Sequence, residues 1–398
     1  MHDTYVKINL DNLGNNIKEI TKKYDNYNYY IGVVKSDAYG HGKYIVNTLV
    51  ENGINYLAVS YLDEAIKIRK YNKNIPILCL QPINLDDLEL ALKNNVTIIV
   101  HDLSYLNKLL KKEITKKLKI HIKIDTGMNR LGLKDKDEVK EVFDKINNNK
   151  TLILEGIFTH FATTGIFDKH YDNQVEKFKE LTSLIDLKSI PIIHLESSVI
   201  LLSHPKIDFA NAIRMGIIMY GYNVSPTKSN KGIKNILRNI RNTYYRKKYN
   251  ISKIYYNVNL NLKPSMSMKT YINQIKKVNI GEYIGYGAGY KTEENMTIAV
   301  LPIGYSNGIG KLNNNRYVLI KGKKYYVVGS LGMNMMCIRI DENVKINDEV
   351  TVLGDDITLG VMSRFNNSSI SETLVNIGNS NKRIYEKNKK IEYIEESR

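Results

Sequence analysis

Short β-branched runs, each followed by a stretch of helical character, recur through the first half of this chain. They are "YIGVV" near Ile31, "YLAVS" from Tyr56, "PILCL" from Pro76, "TIIV" from Thr97, "KIHIKI" from Lys119, "LEGIFTH" from Leu154, "PIIHL" from Pro191 and "IIMYG" from Ile217. Between them lie segments such as "YLDEAIKIRKYNKN" and "LDDLELALKNN", whose apolar residues fall at helix spacing. The runs stand roughly 20 to 37 residues apart, the interval of parallel βαβ units. Eight such units predict an α/β chain built on a (β/α)8 TIM barrel. No Gly-x-Gly-x-x-Gly follows the first run, which counts against a doubly wound open sheet.

Beyond about residue 255 the texture changes. "RYVLIKGKKYYVVGSLGMNMMCIRI" and its neighbours alternate apolar and polar residues around Gly and Asn turns, as in an antiparallel β-domain. The expected division is a barrel over residues 1–225, a basic insertion or linker over 226–258, and a C-terminal β-domain over 259–398. The net charge is +17, and the stretch from Lys228 to Lys253 holds no Asp or Glu. A basic patch with Tyr244, Tyr245 and Tyr249 among its lysines could stack on nucleic-acid bases. Lysines spread over the whole chain read instead as a solvated basic surface, so nucleic acid is not the expected partner. No run approaches the roughly 20 apolar residues of a membrane span. Cys79 and Cys337 have no paired spacing and no metal motif, which fits a reducing compartment. The expected location is the cytoplasm, with no membrane and no metal.

Polar residues cluster where a barrel places its active site, at the C-terminal ends of the strands. Lys35 closes the first run in "VVKSDAYGHG"; Asp125, Thr126, Gly127 and Arg130 follow the fifth; His160 follows "EGIFT". Ser197 and Ser198 follow "IIHLE", and Arg214, Gly216 and Ile217 lie in the last unit. Each has a plain alternative, such as a snorkelling strand-end lysine or a serine helix cap, but together they converge on one mouth. A partly desolvated lysine there can form a Schiff base with an aldehyde. Ser198, Tyr39 and the backbone around Gly216 and Ile217 could hold a phosphate. Arg214 could face a pyridine nitrogen. The cofactor implied is pyridoxal 5′-phosphate.

With these motifs the chain resembles the alanine racemases. The likeness is carried by "VVKSDAYGHG", "IKIDTGMNRLG", "FTHFAT", "IRMGIIMYG", "IGYGAGY", "LPIGYSNG" and "GMNMMCI". The resemblance implies a pyridoxal-phosphate-dependent isomerase, fold type III, with Lys35 holding the cofactor and acting as one catalytic base. Tyr286 would be the second base, reaching in from a neighbouring subunit, so a head-to-tail homodimer with composite sites is expected. Tyr39, Ser197 and Ser198 would bind phosphate and Arg214 the ring nitrogen, with His160, Gly216 and Ile217 beside the cofactor. His160 would also support Tyr286, and Tyr305 would line the entrance. Arg130, Met333 and Asn334 would meet the substrate carboxylate and its surroundings. Lys123 matches a position that is often carbamylated. The product would be D-alanine for peptidoglycan. The family more often has Asn-Ser at Ser197-Ser198 and Met-Asp at Met333-Asn334, and a phosphate-contacting tyrosine falls at Asn379 in this reading. Those departures leave a serine or broad-specificity racemase as the alternative. A decarboxylase of the same barrel class fits less well, because no glycine-rich phosphate loop is evident.

Overall fold

The computed structural model describes residues 4–163, 169–223 and 260–396, with a few positions between 236 and 244. The basic stretch from Lys228 to Lys253 therefore lies almost wholly outside the described residues.

The chain begins with β1 (Tyr5–Asn9), and then the barrel strands follow: β2 (Tyr29–Val33), β3 (Tyr56–Val59), β4 (Ile77–Cys79), β5 (Val96–Val100), β6 (Leu118–Lys123), β7 (Leu152–Phe158), β8 (Ile192–His194), β9 (Glu196–Ser197) and β10 (Ala212–Met215). From β2 to β8 each pairs in parallel with the next, while β10 pairs with β2 on one side and β9 on the other. Only Leu195 separates β8 from β9, so one stretch of chain joins β7 to β10 and closes an eight-staved ring. Strands buried on both faces need near-continuous apolar sequence, and β3 (YLAV) and β5 (VTIIV) are buried at every position. A compact apolar cluster that includes Ile31, Tyr56, Leu78, Ile99, Phe158 and Ala212 packs between the staves. The connecting helices bury a single stripe. The helix Leu10–Lys23 covers the barrel with Leu13, Ile17 and Ile20, is capped where the Asn9 side chain accepts the Asn12 N–H, and ends on Lys22 and Lys23.

The run at Ile217 is not a strand. The closing strand is β10, ending at Met215, and residues 216–221 turn, with Met219 N–H bonded to Gly216 O at 3.1 Å and Gly221 N–H to Ile218 O at 3.0 Å. Ile217, Ile218, Met219 and Tyr220 are apolar because they are buried, which periodicity cannot tell from a strand.

The second domain adds β11 (Met266–Tyr271), β12 (Gln274–Val278), β13 (Met296–Leu301), β14 (Tyr317–Ile320), β15 (Lys323–Val328), β16 (Met336–Ile340), β17 (Glu349–Leu353), β18 (Lys382–Lys387) and β19 (Lys390–Glu395). They form one ten-stranded sheet in the order β12-β13-β16-β15-β14-β17-β11-β1-β18-β19, antiparallel except where β1 runs parallel to β18. Thus β1 belongs to this sheet and the barrel staves begin at Tyr29. Helices Leu359–Asn366 and Ile370–Asn379 precede β18. The second of these packs directly on the turn that follows β2.

Candidate active site

At the C-terminal ends of the barrel strands opens a cavity of about 290 Å³. Ten residues singled out in the sequence line it: Lys35, Tyr39, Lys123, Arg130, His160, Ser197, Ser198, Arg214, Gly216 and Ile217.

Lys35 starts an unusual turn. Ser36, Asp37, Ala38 and Tyr39 all have positive φ, between 51° and 56°, and Gly40 follows at 80°. A left-handed turn costs L-residues roughly 1–2 kcal/mol each, so its surroundings must hold it. Glu64, itself buried, accepts the Ser36 N–H at 2.6 Å and the Ser60 N–H at 2.8 Å. Asp37 sits between Arg383 at 2.7 Å and Lys43 at 3.1 Å, and Arg383 also donates to Gly40 O at 3.1 Å. Burial opposes the Asp37 charge, yet the two cations keep its pKa below the usual range. Behind the turn, a Cβ on Gly378 would lie 2.1 Å from Gly40 O, so glycine alone allows the helix to approach. The turn thus presents Lys35 to the cavity. Burial first, and then the Arg130 guanidinium, lower the pKa of its ammonium, with Glu64 acting against them.

The loop after β6 is folded around one carboxylate. Asp125 accepts the N–H groups of Gly127, Asn129 and Arg130 at 2.9, 3.0 and 3.2 Å, which brings Arg130 to the cavity wall. Lys123 lies beneath, buried, its Nζ donating to Ile124 O at 2.9 Å. Burial, with Arg214 next, lowers its pKa to about 7. Because the folded value lies below the ordinary lysine value of 10.5, the unfolded chain binds more protons between those limits, and stability rises with pH there. In CO2-free buffer Lys123→Met should therefore stabilise the ligand-free protein most at pH 6, with the gain shrinking as pH climbs above 7. Chemical denaturation at several pH values measures it; a gain independent of pH would contradict the buried-charge account.

Arg214 is almost fully buried. Its Nη1 donates to His194 Nδ1 at 2.9 Å and to His194 O; its Nη2 donates to Thr159 O at 2.8 Å, Leu195 O at 2.9 Å and His160 Nδ1 at 3.3 Å. Carbonyls and imidazoles, not a carboxylate, hold this cation, and burial lowers its pKa to about 10. Guanidinium can only donate, so His160 Nδ1 accepts and the ring proton sits on Nε2. Burial, and then Arg214, push the His160 pKa down to about 3, so the ring is neutral. On the other wall, Ser198 Oγ accepts the Gly216 N–H at 2.9 Å, and a Cβ at position 216 would come within 3.1 Å of the Tyr39 hydroxyl. This corner is polar and has room for the oxygens of an anion.

Tyr286, Met333 and Asn334 are not in the cavity of their own chain. Tyr286 is 77% exposed and Met333 56%. A rigid frame holds them on the second domain: the Tyr286 N–H donates to Ser330 Oγ at 2.8 Å, Ser306 donates from N and Oγ to Met333 O at 2.9 and 2.8 Å, and Asn334 Nδ2 donates to Ser306 Oγ at 2.7 Å. Asn379 is also outside the cavity, at the far end of helix Ile370–Asn379; Ser371, in its first turn, lines the cavity instead. Sequence reasoning missed Ser371. The signal that marks its place is the capping box, Ser369 with Glu372, which fixes where the helix starts.

Comparison with known proteins agrees with this geometry. The family model described as "Alanine racemase, N-terminal domain" matches residues 8–224, and "Alanine racemase, C-terminal domain" matches residues 265–385. Alanine racemase 2 of Caldanaerobacter subterraneus subsp. tengcongensis is 34% identical over 363 residues, covering 88% of this chain and 86% of that protein. The alanine racemase of Halalkalibacterium halodurans is 33% identical over 361 residues, covering 89% and 86%. The solved alanine racemase of Clostridium difficile 630 superposes with a TM-score of 0.86 at 31% identity, covering 100% of this chain and 99% of that one. With both of its domains matched, and with relatives this similar along nearly its whole length, the chain belongs to the alanine racemase family of isomerases.

Proposed function

We propose that this protein interconverts L- and D-alanine with pyridoxal 5′-phosphate held by Lys35, in a head-to-tail homodimer whose sites are completed by Tyr286 of the opposite copy. The observation that carries this reading is the split of the expected machinery: ten residues meet in one cavity, while Tyr286, Met333 and Asn334 stand exposed on the same chain's other domain. The donor set fits the cofactor. It supplies the Lys35 amine, a polar corner of Tyr39, Ser198 and the Gly216 backbone for a phosphate, and for the ring nitrogen a buried guanidinium bonded to carbonyls and imidazoles. Pyridoxal phosphate supplies an electron sink that makes the substrate's α-proton acidic.

The chain's own residues do the rest. The desolvated Lys35 amine moves a proton on one face of the substrate α-carbon. The Tyr286 hydroxyl of the opposite copy serves the other face, and the neutral His160 would stabilise its ionised oxygen by donating from Nε2–H. Arg130 and the Met333 backbone bind the substrate carboxylate. Lys123, poised near neutrality, can take up CO2, and the resulting carbamate would orient Arg130; uptake of 13C-labelled bicarbonate, seen by NMR, would show it. We place the enzyme in the cytoplasm, where it supplies D-alanine for peptidoglycan. In support, both cysteines are unpaired and no helix among the described residues is long and apolar enough to cross a membrane. The direct test is visible absorbance after loading with pyridoxal phosphate, together with racemisation of L- and D-alanine. A protein that neither takes up the cofactor nor racemises would end the reading.

One observation favours a broader substrate range. The helix Ile370–Asn379 presents Ser371, small and hydroxylic, to the cavity, which leaves space and a hydrogen-bonding group for a substrate such as serine. Ser371→Tyr should then cut kcat/KM for serine relative to alanine by about tenfold or more. Equal losses for both substrates would remove Ser371 as a specificity determinant.

A further inference from the structure

Arg214 is the near end of a buried polar chain that crosses the inside of the barrel. His194 Nε2 lies 2.8 Å from His121 Nδ1, and His121 Nε2 lies 3.3 Å from Glu155 Oε2. Both imidazoles are fully buried. The chain is built in rather than incidental: a Cβ at Gly156 would fall 2.5 Å from His121 Cε1, so the ring occupies space that only glycine leaves. Phe158 stacks on His194 with centroids 4.5 Å apart. Glu155 lies toward the far end of the barrel from the cavity, where Tyr56, Thr97 and Lys119 also donate to it at 2.6, 3.1 and 2.5 Å.

The direction of every bond in this chain follows from its two ends. Guanidinium has no acceptor, so His194 Nδ1 must accept from Arg214, and the His194 proton is on Nε2. That N–H faces His121 Nδ1, which must accept, so the His121 proton is on its own Nε2. There it meets a carboxylate, which can only accept. One arrangement of protons satisfies all three contacts, with both rings neutral. Burial, the largest influence on each ring, lowers both imidazole pKa values and favours that neutral form. An ionised Glu155 polarises each ring in turn and makes His194 Nδ1 a stronger acceptor for Arg214.

We propose that Glu155 is a positioning residue for the reaction, acting through His121 and His194 to fix the orientation of the Arg214 guanidinium toward the cofactor ring. This rests on the cavity being a pyridoxal phosphate site, but the proton arrangement does not. The first test is therefore made on ligand-free protein: 15N NMR of the histidine side chains should show His121 and His194 each as a single Nε2–H tautomer. A proton on Nδ1 of either ring, or a charged ring at neutral pH, would overturn the proposal without any variant being made.

The second test is Glu155→Gln, with Lys119→Met as the control that removes a donor to Glu155 and leaves the carboxylate in place. Glu155→Gln should leave the His194 Nε2–H tautomer in place, since Arg214 dictates it, but should shift the 15N resonances of that ring, which it does not touch, because the polarising charge is gone. It should also lower kcat by about tenfold with KM little changed, and shift the visible absorbance of the loaded enzyme. Lys119→Met should do none of these. Unchanged His194 15N resonances with wild-type kcat in Glu155→Gln would show that the carboxylate only stabilises the barrel. Failure of wild-type protein to bind pyridoxal phosphate, with the tautomers as described, would instead count against the cofactor reading.

Discussion

Lys35→Ala is expected to lower alanine racemisation by roughly 10⁴-fold or more, since it removes both a covalent anchor and a proton-transferring group. The protein should still fold, because the left-handed turn is held by contacts to Ser36, Asp37 and Gly40, none of which uses the lysine side chain. The measurements are the racemase rate in both directions and the visible absorbance in excess pyridoxal phosphate, with circular dichroism to confirm folding. Lys35→Arg separates charge from chemistry: it keeps a cation at the position but offers no amine that can attack an aldehyde, and it should be as inactive as the alanine variant. A Lys35→Ala protein retaining more than about a hundredth of the activity would mean that another group is the base.

The second large effect tests the exposed tyrosine. Tyr286→Phe should lower racemisation by about 10² to 10⁴-fold while leaving the absorbance of the loaded protein intact. Its stronger form uses two inactive variants together. If Tyr286 serves the opposite copy, co-expressing Lys35→Ala chains with Tyr286→Phe chains creates mixed dimers in which one site carries both defects and the other carries neither. Random pairing should then restore about a quarter of wild-type activity. If Tyr286 acted on the cavity of its own chain, every site would stay defective and nothing would return. The exposure of Tyr286 at 77% and its absence from the cavity lining favour the first outcome.

Much of this is legible in the sequence. β-Branched runs ending in polar residues located the staves, because a strand buried on both faces has to be apolar throughout. Lys35, His160 and Arg214 then fell at matching strand ends. Three things were not legible. Ile217 to Tyr220 is as apolar as a strand because it is as deeply buried as one, and burial alone has no period. The left-handed turn from Ser36 to Tyr39 has no glycine within it and is maintained by Glu64 and Arg383, the latter more than 300 residues away. Which end of the helix Ile370–Asn379 meets the barrel is not written in its pattern either: Ser371, in the first turn, lines the cavity, while Asn379, about two turns on, does not.

The position of β1 bears on how the molecule is assembled. Val6 sits opposite Met268 on one side and Arg383 on the other, so β1 lies between the strand that opens the second domain and one near that domain's end. The barrel is in effect an insertion into the sheet domain, and that domain is discontinuous in sequence. A chain emerging during synthesis can close its ring of staves while β1, with Val6 and Ile8 on its apolar face, waits unpaired for neighbours not yet made; such long-range closure is slow and exposes a strand edge to aggregation. Cutting the gene between the domains would leave a barrel trailing an orphaned strand and a sheet lacking an interior one. The practical consequence is that neither half should be obtainable alone, and that co-expression of a fragment carrying β1 with the rest of the sheet is the route to testing them apart.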